Sequence, residues 1–261
     1  MGTLPPKISL ILPCFNEMEH IQTSFVQISE FMEFCFSSRG YEIILVDDFS
    51  TDGTREWLTQ LSKPNCRVHL SEKNEGRGGA VKTGMMLSKG DIVGFMDIDC
   101  EVSEAYLSKF AQAISAGGDL AIGMRIYRVS PQPYILLRHF LSVCYKALLR
   151  RKMGCKTLDS EVGYKFFSRR LTNYIVNQSR FNDWFWDTEV TLLSERNEFK
   201  IAEIPVAFKR NLQKTSSVHI FRDSVRYLQA FKKYNGLIRQ SAYTLARELD
   251  AQHNKVEKIR A

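Results

Sequence analysis

Asp91 to Glu101 reads DIVGFMDIDCE, an apolar run that passes directly into Asp97, Ile98 and Asp99, with Glu101 two residues further on. Alternate side chains of an extended chain share a face, so Asp97, Asp99 and Glu101 converge if the strand persists past Met96. Three carboxylates in one place make an all-oxygen donor set, which suits a hard divalent cation, Mg²⁺ or Mn²⁺. Zinc fits less well, because no His or Cys pair at ligand spacing lies nearby and Cys100 alternates to the other face. The plain alternative is a solvated acidic turn that closes a strand. The choice rests on the elements around it.

Those elements follow in a regular order. Ile8 to Leu12 is a short apolar run, followed by Pro13-Cys14-Phe15-Asn16-Glu17 and a helical pattern reaching about Phe36. A second run, Tyr41 to Val46, ends in Asp47-Asp48-Phe49-Ser50-Thr51-Asp52-Gly53-Thr54, whose Ser, Thr and Asp offer helix caps before Arg55-Glu56-Trp57-Leu58. A third, Arg67 to Leu70, leads to Asn74-Glu75-Gly76-Arg77-Gly78-Gly79-Ala80 and another helix, and the strand before Asp97 is the fourth. Strands alternating with helices predict an α/β fold, a single doubly wound, mostly parallel sheet with helices on both faces. Ligands of such a sheet bind beyond the carboxyl ends of its strands, where every acidic motif falls.

Taken together, Pro13-x-Phe15-Asn16-Glu17, Asp47-Asp48-x-Ser50-x-Asp52-Gly53-Thr54, Asn74-x-Gly76-x-Gly78-x-Ala80 and Asp97-x-Asp99-x-Glu101 resemble the GT-A glycosyltransferases of family 2. Later residues are similar to the dolichyl-phosphate mannose synthase and polyprenyl-phosphate glycosyltransferase branch of that family. These are Gly123-Met124-Arg125, Arg138 with Ser142, Asp159 to Lys165 (DSEVGYK), Trp184 to Glu189 (WFWDTE), and Glu203-Ile204-Pro205-Val206 followed by Arg210. The likeness runs from about Ile8 to Ser217. It implies a GT-A catalytic domain over residues 1–217 and a carboxyl-terminal helical extension, 218–261, associated with a membrane. Met124 stands where many members have Ser, and Glu101 where some have Gln. Ser216 takes the place of a Lys that mannose synthases carry six residues after the Arg, with Lys214 and Ser217 as neighbouring substitutes.

The resemblance also implies roles. Pro13, Phe15, Glu17, Val46, Asp48, Asp97, Ile98, Asp99 and Arg210 would bind a nucleotide-sugar donor, with Asp97, Asp99 and Arg210 as the catalytic set. Arg125, Arg138, Ser142, Asp159 and Lys165 would face a polyprenyl phosphate acceptor. Asp97, Asp99 and Glu101 would hold Mg²⁺ or Mn²⁺.

The rest of the sequence narrows the partners. A chain of 261 residues can bury a full core, and no Gly/Ser/Pro-rich linker divides it. Its apolar runs fall short of the roughly 18 residues that span a bilayer, and no signal-peptide pattern opens it, so a cytoplasmic protein, peripheral on the cytosolic face of a membrane, is expected. The six cysteines, without a CxxC, read as reduced thiols. A formal charge of +7 is compatible with nucleic acid, an anionic membrane surface or an anionic substrate. No nucleic-acid-binding module accompanies it, so no nucleic-acid partner is expected. Tyr134 to Lys152, wound as a helix, places Arg138, Ser142 and Lys146 in one stripe bordered by apolar residues. This is either an amphipathic core helix or, as the resemblance implies, the acceptor-phosphate element, with Arg150, Arg151 and Lys152 toward lipid headgroups and a membrane-anchoring partner alongside. Gly76 to Thr83 departs from a phosphate-binding P-loop because Val81 precedes the Lys-Thr pair. It reads instead as a turn that grips the donor or packs its helix. Trp184, Phe185 and Trp186 read as core.

The expected chemistry is an inverting transfer in which negative charge builds on a leaving nucleoside diphosphate and is met by the cation and Arg210. Three readings remain open on sequence. A phosphate acceptor is already a dianion near neutrality and needs no base. A glycan hydroxyl would need one, with Asp187 or Asp159 as candidates. A catalytically silent membrane-binding subunit is the third.

Overall fold

The computed structural model describes residues 7–126, 133–209, 227 and 229–237, and for 133–142 the backbone alone. The chain divides into two compact units, Met1–Gln213 and Lys214–Ala261. The second contributes a helix over residues 229–237.

In chain order the first unit comprises β1 (Ile8–Cys14), α1 (Ile21–Phe36), β2 (Tyr41–Asp47), α2 (Thr54–Gln60), β3 (Cys66–Leu70), α3 (Arg77–Leu87), β4 (Ile92–Met96), α4 (Leu107–Ser115), β5 (Leu120–Ile126), α5 (Pro133–Met153), β6 (Tyr164–Ser168), α6 (Arg169–Gln178), α7 (Trp186–Arg196) and β7 (Ile201–Ala207). The strands form one seven-stranded sheet in the order β3-β2-β1-β4-β6-β5-β7. β1 to β4 are parallel to one another and β5 is parallel to β7, whereas β6 runs antiparallel to both β4 and β5. The sheet is therefore doubly wound and mostly parallel, as the alternation of strands and helices predicts.

β1 and β2 are buried almost throughout and do not alternate, as expected for strands covered on both faces. Their polar interruptions are paired. The Ser9 hydroxyl donates to Glu42 Oε1 at 2.7 Å, and Arg67 Nη2 donates to Glu42 Oε2 at 2.6 Å. Burying either group without its partner would cost far more than the bond itself contributes. An aromatic layer of Phe95, Phe110, Tyr164, Phe166, Phe167 and Trp186 fills the core around β4 and β6. Gly94 makes room for it, since a Cβ there would overlap the Phe166 ring.

The winding reverses between β1 and β4: from β1 the chain steps outward to β2 and β3, then returns to place β4 on the other side of β1. The crevice beyond the carboxyl ends of these two strands is the switch point at which such sheets bind ligands. Pro13 and Phe15 lie at one lip of it and Asp97 at the other.

Candidate active site

β4 ends at Met96, and the chain turns at once. Cys100 has a φ of +53°, and its N–H donates to Asp97 O at 3.4 Å. Strand alternation therefore stops before Asp97 and does not carry Asp97, Asp99 and Glu101 onto one face. The extended backbone on which that convergence depended ends at Met96, and a left-handed turn takes its place. Asp97 is instead placed by its neighbours: its N–H donates to Gly163 O at 3.1 Å, and a Cβ on Gly163 would overlap both Asp97 Oδ2 and Arg77 Nη2. The Gly of the 159–165 motif is thus required by close approach.

Arg77, the first residue of α3, organises the site. Its Nε and Nη2 donate to Asp97 Oδ1 at 2.9 and 2.7 Å, and its Nη1 donates to Asp187 Oδ2. The guanidinium lies 5.3 Å from the Phe95 ring centroid and 5.1 Å from that of Trp184. Lys165, fully buried on β6, donates to Asp187 Oδ1 at 2.5 Å and to Val162 O at 2.7 Å. Both oxygens of Asp187 are thereby committed to cations. Burial pushes the Asp97 carboxyl up, Arg77 pulls it down, and the like charge of Asp99 pushes it up again, leaving it above its ordinary value. Burial likewise holds the Lys165 ammonium below its ordinary value, against the pull of Asp187.

The sequence reading overlooked Arg77, although a signal was present. A helix amino terminus disfavours a cation, and the first turn of α3 has no acidic residue to offset it, so a counter-charge from elsewhere was implied. The Gly-rich turn packs the helix. Gly76 has a φ of +87°, Gly79 N–H donates to Asn182 O at 3.0 Å, and a Cβ on Gly78 would overlap Trp186. Phe185 and Trp186 are core as expected, but Trp184 is 57% exposed and lies over Arg77.

On the expected donor side, Phe15 is half-exposed at the end of β1, Pro13 is partly buried, and Glu17 is held through its N–H to Thr54 Oγ1 at 2.9 Å. Val46 and Ile98 are buried in the core. The Asp48 carboxylate accepts from Glu75 N–H at 2.7 Å and Gly76 N–H at 3.0 Å, so it holds the Gly-rich turn against β2. Burial raises this carboxyl above its ordinary value despite the two N–H donors. Arg210, with Lys214, Ser216 and Ser217, lies outside the described residues.

On the expected acceptor side, Asp159 is clamped. Arg125 donates from Nε to Oδ2 at 2.7 Å and from Nη2 to Oδ1 at 2.8 Å, and Lys146 Nζ on α5 stands 3.6 Å from Oδ1. Burial would raise the Asp159 carboxyl, but the bonds and charge of Arg125, with Lys146, outweigh it and hold it below its ordinary value. The fork of Arg125 is directed at Asp159, so the two residues form one unit. Arg138 and Ser142 fall on α5, where their side chains lie outside the described part.

Among the described residues no group of three or more His, Cys, Asp or Glu side chains is arranged to hold a metal ion. The oxygen donors at the switch point nevertheless fit a hard divalent cation. Asp97 and Asp99 repel one another across the turn, and both present carboxylate oxygens.

Residues 9–175 match the family described as Glycosyl transferase family 2. Among curated proteins, the chain is 29% identical over 205 residues to Glycosyltransferase AglD of Haloferax volcanii, covering 77% of this chain and 32% of that protein. It is 27% identical over 223 residues to a dolichyl-phosphate beta-glucosyltransferase of Saccharomyces cerevisiae, covering 77% and 66%. The chain thus spans between about a third and two thirds of the length of these relatives. Its fold resembles that of glucosyl-3-phosphoglycerate synthase from Mycobacterium tuberculosis, in a structure containing Mn²⁺, uridine diphosphate and glucosyl-3-phosphoglycerate. The TM-score is 0.65 at 19% identity, with 88% of this chain and 80% of that one covered. A GT-A fold with acidic groups gathered at its switch point, and a family match across most of the sheet, lead to one conclusion: the chain belongs to glycosyl transferase family 2.

Proposed function

We propose that residues 1–217 are the catalytic domain of a divalent-cation-dependent, inverting transferase that moves a sugar from a nucleoside diphosphate to a polyprenyl phosphate. Residues 218–261 would be a helical extension at the membrane. The observation that carries this reading is the state of the two carboxylates that could serve as a base. Asp187 is locked between Arg77 and Lys165, and Asp159 is clamped by Arg125 and Lys146. A hydroxyl acceptor needs a free base, whereas a phosphate, with its second pKa near ~6, is already nucleophilic at neutral pH. The named activity of the Saccharomyces cerevisiae relative supports the same acceptor class.

In this mechanism Asp97 and Asp99, with Glu101 as the third candidate, hold Mg²⁺ or Mn²⁺, which when bound neutralises charge on the leaving diphosphate. Phe15, Pro13 and Glu17 receive the nucleoside at the β1 lip, while Asp48 fixes the turn that carries Arg77. Arg210 adds a positive contact to the diphosphate. The acceptor phosphate is bound without a base, by Lys146 and Arg138 from α5, the Ser142 hydroxyl, and Arg125 held in place by Asp159. Positioning then lets the phosphate oxygen attack opposite the leaving group.

No helix among the described residues is long and apolar enough to cross a membrane. The basic stripe of α5 and its terminal Arg150, Arg151 and Lys152 favour contact with an anionic bilayer on its cytosolic face, aided by a membrane-anchoring partner. The decisive experiment is a screen of nucleotide sugars with a short polyprenyl phosphate and Mg²⁺ or Mn²⁺, reading released nucleoside diphosphate, with an oligosaccharide acceptor in parallel. Turnover with the oligosaccharide alone overturns the acceptor class, and turnover with neither overturns the transfer.

A further inference from the structure

Asp97 is both the first residue past β4 and the partner of a largely enclosed cation, Arg77. Two nitrogens of Arg77 converge on the same oxygen, Oδ1, at 2.9 and 2.7 Å, and the other oxygen lies against Gly163 where no Cβ fits. The guanidinium is fixed from three further directions: Nη1 is bonded to Asp187, and the Phe95 and Trp184 ring centroids lie 5.3 and 5.1 Å away. Its side chain retains only 10% of its exposure. A positive group this well held already supplies the charge compensation that a divalent cation at Asp97 would supply. It also raises the electrostatic cost of bringing a second cation to the same carboxylate.

We propose that Arg77 is a resident counter-cation that disfavours divalent-cation binding at Asp97 until a donor diphosphate is present, so that cation and nucleotide bind as a coupled pair. The proposal rests on the metal-dependent reading above and deepens it. A diphosphate brings anionic oxygens to the pocket, and these offer ligands both to the cation and to a guanidinium, whose planar fork matches phosphate as well as carboxylate. With that added negative charge, the like-sign repulsion between Arg77 and the incoming cation is offset. Linkage then makes the effect reciprocal: nucleotide tightens cation binding by the same factor as cation tightens nucleotide binding.

The test titrates Mn²⁺ into the whole protein and follows free Mn²⁺ by electron paramagnetic resonance, alone and with uridine or guanosine diphosphate. In wild type, the better of the two nucleotides is expected to tighten Mn²⁺ binding by about tenfold or more, within the usual range of coupling between sites. Arg77→Gln removes the opposing charge while leaving Asp187 paired with Lys165, and is expected to bind Mn²⁺ alone about tenfold tighter than wild type. Arg77→Lys keeps the charge and is expected to stay within about threefold of wild type. Circular dichroism checks that each variant is folded.

A folded Arg77→Gln whose affinity for Mn²⁺ alone equals that of wild type overturns the counter-cation role while leaving metal dependence standing, provided Mn²⁺ still binds with nucleotide. Should that variant fail to fold, a wild-type coupling below about threefold overturns the proposal without it. If Mn²⁺ binds none of the proteins even with nucleotide, the metal-dependent reading itself falls and takes this inference with it.

Discussion

Arg77, Asp97, Lys165 and Asp187 come from α3, the end of β4, β6 and α7, and each oxygen of Asp187 depends on a different cation. Removing one member of a buried ion network leaves its partner desolvated and unpaired, at a cost of about 3–5 kcal/mol. Asp187→Asn is therefore expected to lower the unfolding free energy by roughly that amount, measured by urea denaturation, and to lose activity through misplacement of Arg77. Asp99→Asn should behave differently, because Asp99 sits in the turn at the site and not in the core. Transfer should be abolished with the urea midpoint unchanged, and excess chelator should reproduce the loss in wild type. Full activity under either condition would remove the metal assignment.

Asp159 offers a test by pH. Its folded pKa lies below the ordinary value of 3.8, so its pairing with Arg125 stabilises fully above that value and is lost as pH falls through the folded pKa. The difference in unfolding free energy between wild type and Asp159→Asn should be level above about pH 5 and shrink below about pH 4. A difference that stays level to pH 2 would contradict the pairing.

At the scale of elements, the site is built where α3, β4, β6 and α7 meet, and close approach sets which residues are tolerated. Gly163→Ala pushes a methyl group into Asp97 and Arg77, so a steep loss of turnover is expected, greater than the accompanying loss of stability. α5 carries the acceptor prediction. Hydrogen bonds to charged groups contribute about 1.5–3 kcal/mol, so Arg138→Ala should raise the KM for a polyprenyl phosphate, or cut turnover, by about tenfold or more. Donor affinity should stay unchanged. A silent Arg138→Ala would detach α5 from acceptor binding. The strands and helices up to Met96, and the helix over Tyr134–Lys152, were legible beforehand, because apolar runs and capping residues are local signals. The antiparallel direction of β6 was not, since nothing within Tyr164–Ser168 specifies which neighbours flank it or in which sense it runs.

For the whole molecule, a net charge of +7 with basic residues at the end of α5 predicts reversible binding to anionic vesicles. Binding should weaken as salt rises, because surface charges are screened over about 10 Å at 0.1 M. Cosedimentation that is absent at low salt would argue against direct membrane contact. The sequence by itself determined the α/β class, the winding of the sheet and the location of the acidic groups at strand ends, because these follow from periodicity and order along the chain. Tertiary structure alone decided what those groups touch. The left-handed turn at Cys100 diverts Asp99 and Glu101 from the strand's alternation, and Asp48 is drawn to the backbone of the Gly-rich turn. Arg77 pairs with Asp97 and, across 110 residues of sequence, with Asp187. Charge pairing between distant segments depends on where the fold brings them together, and no local pattern of residues encodes that distance.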